Sequence, residues 1–178
     1  MKSVLITIQP KWVEKIASGE KTIEVRKTKP KIETPFKCYI YCTIGNGVKG
    51  DYLVSSGIQC GKVIGEFVCD RIYEWTYNYN VGEYNIGGDS LRRTCLSYSK
   101  FENYGKGKTL YGWHITDLKI YDKPKELSEF YAKCNIPESK CKLCDNCFDR
   151  EDYYGRHYAV KKLTRPPQSW CYVESLGE

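Results

Sequence analysis

The chain has 178 residues, with 28 lysines and arginines against 22 aspartates and glutamates, for a formal net charge of +6. That length suits one domain with a proper core, and a content of 41% hydrophobic and 14% aromatic residues excludes general disorder. No apolar run nears the roughly 18 residues that span a bilayer, so a membrane partner is not expected.

The charge excess lies wholly in the first fifty residues, where ten basic side chains stand against four acidic ones. A basic segment apolar enough to fold suggests a face that meets an anion, with nucleic acid the leading candidate. A solvated lysine-rich surface would give the same count.

In chain order, Ser3 to Ile8 reads as a short β-branched strand that starts the core. Its apolar part is shorter than a signal-peptide core and stops at Pro10-Lys11, so a cytoplasmic protein is expected. Gln9-Pro10-Lys11 opens a helix with proline in the first turn. Trp12, Val13 and Ile16 give that helix its apolar stripe, and Gly19 closes it. Lys21 to Arg26 alternates as a strand does: Ile23 and Val25 face one way, Thr22, Glu24 and Arg26 the other. Thr28 to Thr34 reads as a loop. Phe36 to Thr43 and Lys62 to Trp75 read as further strands, separated by a glycine-rich loop from Gly45 to Gly57.

Tyr77 to Gly88 is rich in Tyr, Asn and Gly and is assigned to no element. Ser90 to Tyr104 holds a short helix, Leu110 to Tyr121 a strand, Pro124 to Lys133 the start of a helix, and Arg165 to Val173 a final extended segment. Strands joined by short helices favour a small mixed barrel, of class α+β, over a doubly wound sheet.

Ten cysteines are many for a chain without an export signal. Six are dispersed, several of them in apolar stretches where cysteine serves as a small hydrophobe. The other four, Cys134, Cys141, Cys144 and Cys147, stand within fourteen residues in a polar segment. Two-residue gaps let successive thiolates converge on one ion, which suits structural zinc in a closed tetrahedral site. An iron–sulfur cluster is the competing assignment, although the proline that follows such a run is here Phe148. With little apolar content of its own, this segment would draw much of its stability from the metal. Residues 133–165 thus read as a cysteine-rich elaboration, a metal knuckle, within a single domain spanning 1–178.

The run Ile8-Gln9-Pro10-Lys11-Trp12, a helix, then Gly19-Glu20-Lys21-Thr22-Ile23-Glu24-Val25-Arg26 resembles the ASCH domain, a branch of the PUA-like β-barrel superfamily. The hallmark G-x-K-x-x-E-x-R is matched at Gly19, Lys21, Glu24 and Arg26. Tyr39 to Thr43, Gly61 to Glu66 and Tyr111 to Ile115 are similar to later strands of that family. The resemblance implies a barrel with a basic cleft at its mouth that binds RNA, a nucleotide or a modified nucleoside. Its candidate ligand-binding residues are Lys21, Glu24, Arg26, Trp12, Glu66 and Trp113.

The residue chemistry agrees with that set. Lys21 offers a point charge, Arg26 a planar fork for phosphate or a base edge, and Glu24 an acceptor for an exocyclic amine. Trp12 and Trp113, or one of several tyrosines, are expected to supply a stacking platform for a base. The structural alternatives are a Glu24–Arg26 ion pair and a Trp12 that anchors the helix to the core.

The resemblance also raises an enzyme, since some small ASCH proteins are amidohydrolases acting on acylated cytidines. Their motif lysine is paired with a nucleophilic threonine three residues later, a place held here by Glu24. The missing hydroxyl argues against that mechanism. What stays open is a hydrolase using Lys21 and Glu24 on a modified nucleoside or RNA. A third possibility is a regulatory factor that meets a protein partner through Tyr77 to Tyr84.

Overall fold

The computed structural model describes residues 2–44, 57–133, 147–151 and 157–174. The first half contains β1 (Lys2–Ile8), α1 (Pro10–Ala17), β2 (Ile23–Arg26), β3 (Phe36–Cys42), β4 (Val63–Cys69), β5 (Ile72–Trp75), β6 (Tyr77–Asn78) and β7 (Glu83–Tyr84). Then come α2 (Gly88–Thr94), α3 (Tyr98–Gly105), β8 (Leu110–His114), β9 (Thr116–Lys125), a 3-10 turn (Leu127–Glu129), β10 (Tyr131–Lys133), β11 (Cys147–Glu151), β12 (His157–Lys162) and β13 (Trp170–Glu174).

A five-stranded sheet in the order β13-β1-β3-β4-β9 is the centre of the fold. It is mixed: β1 and β3 run parallel, and the other neighbours are antiparallel. The parallel pair requires a crossover, which α1 and β2 supply. Helix α1 buries Val13 and Ile16 against Val4, Ile6, Ile8, Cys38, Ile40 and Ile64 on one face of the sheet. Leu5, Tyr39, Tyr41, Val63 and Val173 form a second cluster with Phe130 and Leu163. A sheet covered on both faces explains why Val4, Leu5 and Ile6 of β1 are apolar in succession rather than alternating with polar residues.

A second sheet, β2-β8-β5, carries the third cluster, Ile23, Val25, Trp75, Tyr84, Phe101 and Leu110. A Cβ at Gly112 would come within 2.2 Å of the Trp75 ring, so only glycine lets β8 pass beneath that indole.

Two long apolar runs turn out to be two strands each. Lys62 to Trp75 breaks at Asp70–Arg71 into β4 and β5, and Leu110 to Tyr121 breaks at Ile115 into β8 and β9. In both cases the chain leaves one sheet for the other. The corner is fixed by backbone bonds from His114 N–H to the Arg71 carbonyl and from Ile115 N–H to the Thr22 carbonyl. Tyr77 to Gly88 contains the small β6–β7 hairpin, and Ser90 to Tyr104 contains parts of two helices. Cys95 ends the first in the left-handed conformation, and the Ser97 side chain caps the second.

The helix expected from Pro124 to Lys133 is not formed. Pro124 lies in β9, an edge strand where a missing N–H does least harm. After the 3-10 turn, closed by a Glu126–Glu129 capping box, Tyr131–Lys133 pairs with β12.

Nor is there a closed barrel among the described residues. The five-stranded sheet ends at β13 and β9, which do not pair, and the remaining strands form three smaller sheets, one of them β10-β12-β11. The architecture is a sheet-dominated α+β fold with three α-helices among the described residues. Cys134, Cys141 and Cys144 lie outside the described residues, so the metal knuckle does too; Cys147 opens β11 opposite Lys161. Among the described residues, no helix is long and apolar enough to cross a membrane.

Candidate ligand-binding cleft

The end of β1 leads through Gln9 into α1, and Gly19, at φ 77°, turns the chain back. A left-handed glycine here lets Lys21 N–H reach the Lys15 carbonyl at 2.8 Å and sends the lysine side chain inward. Its ammonium donates to the carbonyls of Ile23, at 2.8 Å, and Thr94, at 2.7 Å. It also lies 3.2 Å from Glu24 Oε2. Thr94 ends α2, whose last carbonyls have no partner within the helix and take a cation readily. Two hydrogen bonds, the ion pair with Glu24 and a side chain only 2% exposed commit the Lys21 ammonium to the protein.

Antiparallel pairing with β8 sets β2, and strand alternation puts Glu24 and Arg26 on one face. The second terminal nitrogen of Arg26 donates to the Thr7 carbonyl at 2.5 Å and lies 3.2 Å from Glu24 Oε1. The carboxylate thus sits between two cations, and the buried triad carries one net positive charge. Two of its polar atoms, Glu24 Oε2 and Arg26 Nε, are buried without a hydrogen-bond partner. Arg26 is the most open member, at 13%.

This triad forms one wall of a cavity of about 430 Å³, in the size range of small-ligand sites. Thr7, Ile8 and Gln9 enter from the end of β1, Lys11 and Trp12 from α1, Thr43 from beyond β3, and Lys100 and Tyr104 from α3. Trp12 does two jobs. It packs against the first core cluster and also presents its ring to the cleft, with the Lys11 and Lys21 ammonium groups 5.0 and 5.3 Å from the ring centroid. Lys15, Lys29, Lys37 and Lys62 each face a glutamate. Lys11 and Lys100, on the cleft, have no carboxylate partner among the described residues.

Of the six ligand-binding candidates, Lys21, Glu24, Arg26 and Trp12 come together, while Trp113 and Glu66 do not join them. Trp113 stands opposite Glu24 across β2 and β8 but is 0% exposed. Phe36 and Trp170 each lie 5.8 Å from it, centroid to centroid. It is a core residue, and no base can reach its face. Glu66 pairs in register with Tyr39, on the sheet face that carries the second cluster. It accepts from the Tyr121 hydroxyl at 2.6 Å and from Lys37 at 3.3 Å. Burial pushes the Glu66 carboxyl up, but these two donors outweigh it and hold it below its ordinary value.

Lys100 and Tyr104 went unnoticed in the sequence. Their i, i+4 spacing puts both on one helix face, but nothing local says that α3 packs over β2.

No family model matches the sequence, and no curated protein matches it. Solved structures do match by fold. A crystal structure of ASCH from Zymomonas mobilis superimposes with a TM-score of 0.57 at 18% identity, covering 97% of this chain and 87% of that one. Two single-residue mutants of that protein superimpose with TM-scores of 0.56 and 0.55, at 19% and 18% identity. They cover 98% and 97% of this chain and 91% and 88% of theirs. The chain therefore has the ASCH fold.

Proposed function

We propose that the chain is a binding module for RNA, a nucleotide or a modified base, and that the cleft between α1, β2 and α3 is its site. The observation that carries this reading is the buried Arg26 Nε donor, which has no hydrogen-bond partner and belongs to one wall of that cleft. Buried polar atoms are nearly always hydrogen-bonded, so a guanidinium N–H left open there suits a ligand that brings an acceptor. Trp12 and Tyr104 supply aromatic faces for a base. Lys11 and Lys100 supply charge for phosphates. Lys21 is a positioning residue in this scheme: it holds Glu24 in place and does not itself touch the ligand.

Hydrolysis by Lys21 and Glu24 is the weaker reading, since the buried ammonium is hydrogen-bonded to the carbonyls of Ile23 and Thr94 and ion-paired with Glu24. The cysteine spacing supports a separate proposal, one structural zinc held by Cys134, Cys141, Cys144 and Cys147.

The test of the cleft is a titration with short single-stranded RNA and with free nucleosides and nucleotides at several salt concentrations. Arg26→Ala is expected to weaken binding at least tenfold. Lys11→Ala and Lys100→Ala are each expected to reduce the salt slope for RNA by about one. If the parent binds none of these probes, or all three variants bind as the parent does, the assignment fails.

A further inference from the structure

Six cysteines have described side chains, and all six are free thiols. Two of them touch. Cys42 Sγ donates to Cys60 Sγ across 3.3 Å, eighteen residues away in sequence. Their exposures are 0% and 1%. The contact is built by the backbone: Gly61 N–H donates to the Cys42 carbonyl at 2.8 Å, and Cys42 N–H to the Lys62 carbonyl at 2.9 Å. These bonds lay the segment before β4 against the end of β3. Gly61, at φ 82°, supplies the turn that brings Cys60 inward.

We propose that Cys42 and Cys60 form a reversible disulfide site, a redox-made brace at the base of the β3–β4 connection. The sulfurs must close by about 1.3 Å to reach the roughly 2.05 Å of a disulfide bond. Cys60 lies outside any regular strand, so a side-chain rotation with a small shift of its segment achieves this without disturbing β3.

The oxidant is a low-molecular-weight disulfide such as glutathione disulfide. Cys60, which accepts the thiol–thiol hydrogen bond, loses its proton to solvent and attacks one sulfur of the oxidant, expelling one molecule of thiol. Cys42 then gives up its proton and attacks Cys60 Sγ, expelling the second. Two protons and two electrons leave the protein, and one disulfide becomes two thiols. Burial, and then Cys60 beside it, pushes the Cys42 thiol well up, which fits Cys42 as the second attacker. Because both sulfurs are shielded, the first step waits on local opening of the Cys60 segment, so the pair responds to sustained oxidation rather than to a brief pulse.

The brace bears on the cleft. Thr43, next to Cys42, and Ile8, its register partner on β1, both line the cavity. Closing an eighteen-residue connection also restricts the unfolded chain.

The test is to equilibrate the whole protein in buffers of graded glutathione redox ratio, block free thiols by alkylation and digest with trypsin. A cross-linked species joining peptides 38–49 and 50–62 is expected, about 2 Da lighter than the sum of the two. It should be reversed by dithiothreitol, absent in Cys60→Ala and retained in Cys38→Ala. The oxidised protein is expected to melt several degrees higher than the reduced one, a difference that Cys60→Ala removes. If a variant does not fold, fragment ions of the parent's cross-linked peptide still show whether the bond is on Cys42 or Cys38. The proposal is overturned if no such peptide forms, if Cys60 is joined to any other cysteine, or if cross-linking leaves the midpoint unchanged or lower.

Discussion

Replacing Lys21 with alanine tests the internal logic of the cleft. The substitution leaves the Ile23 and Thr94 carbonyls without their charged donor and takes one of two cations from the buried Glu24 carboxylate. Removing one partner of a buried ion pair costs about 3–5 kcal/mol. Arg26 stays 3.2 Å from the other carboxylate oxygen, so the lower end applies, about 3 kcal/mol. For a chain of this size each kcal/mol moves the melting temperature by about 2–4 °C, which gives a fall of about 6–12 °C. Urea and thermal unfolding measure it directly, and Lys21→Met separates lost charge from lost packing. Glu24→Gln in the Lys21→Ala background should recover part of the loss, with a coupling of about 1–3 kcal/mol in the double-mutant cycle. A loss below about 1 kcal/mol with no coupling would refute the buried-triad argument and return Lys21 to the role of an exposed, ligand-facing charge.

The two tryptophans should behave oppositely. Trp113→Ala is expected to cost about 3–5 kcal/mol of stability, whereas Trp12→Ala should weaken base binding by about 1–3 kcal/mol at a smaller cost in stability; equal effects on melting would contradict the cleft geometry. Glu66 gives a pH signature. Its folded carboxyl lies below the ordinary value of 4.5, so its stabilisation is fully present above that pH and is lost as pH falls through the folded value. The stability gap between the parent and Glu66→Gln should therefore be visible near neutrality and close on acidification; a gap independent of pH would rule the linkage out. For the cysteine segment, elemental analysis of the purified protein should find about one zinc per chain in a colourless sample, and a brown sample with iron would replace zinc by a cluster.

Much of the local structure was legible because its causes are local. Pro10 and Gly19 bracket α1; their effects on φ and on backbone donors act within one or two residues. The alternation that puts Glu24 beside Arg26 is a property of any strand. The partition of Lys62–Trp75 and Leu110–Tyr121 between two sheets was hidden, because a β-rich run looks the same whether it continues straight or turns a corner into another sheet. The Pro124 segment misled for a related reason: proline suits a helix start and an edge strand alike, and the choice was made by pairing of β9 with β4.

From the sequence alone came the motif, its charges and their place in the basic first quarter of the chain. Tertiary structure decided which of those charges meet the cleft. Lys21 reads in the sequence as a point charge for a ligand, yet the carbonyl that helps bury it belongs to Thr94, seventy-three residues away. Trp12 and Trp113 are the same kind of side chain, and what separates platform from core is the presence of Phe36 and Trp170 against one of them. Propensity, alternation and capping depend on near neighbours, whereas burial and charge pairing depend on packing between distant segments.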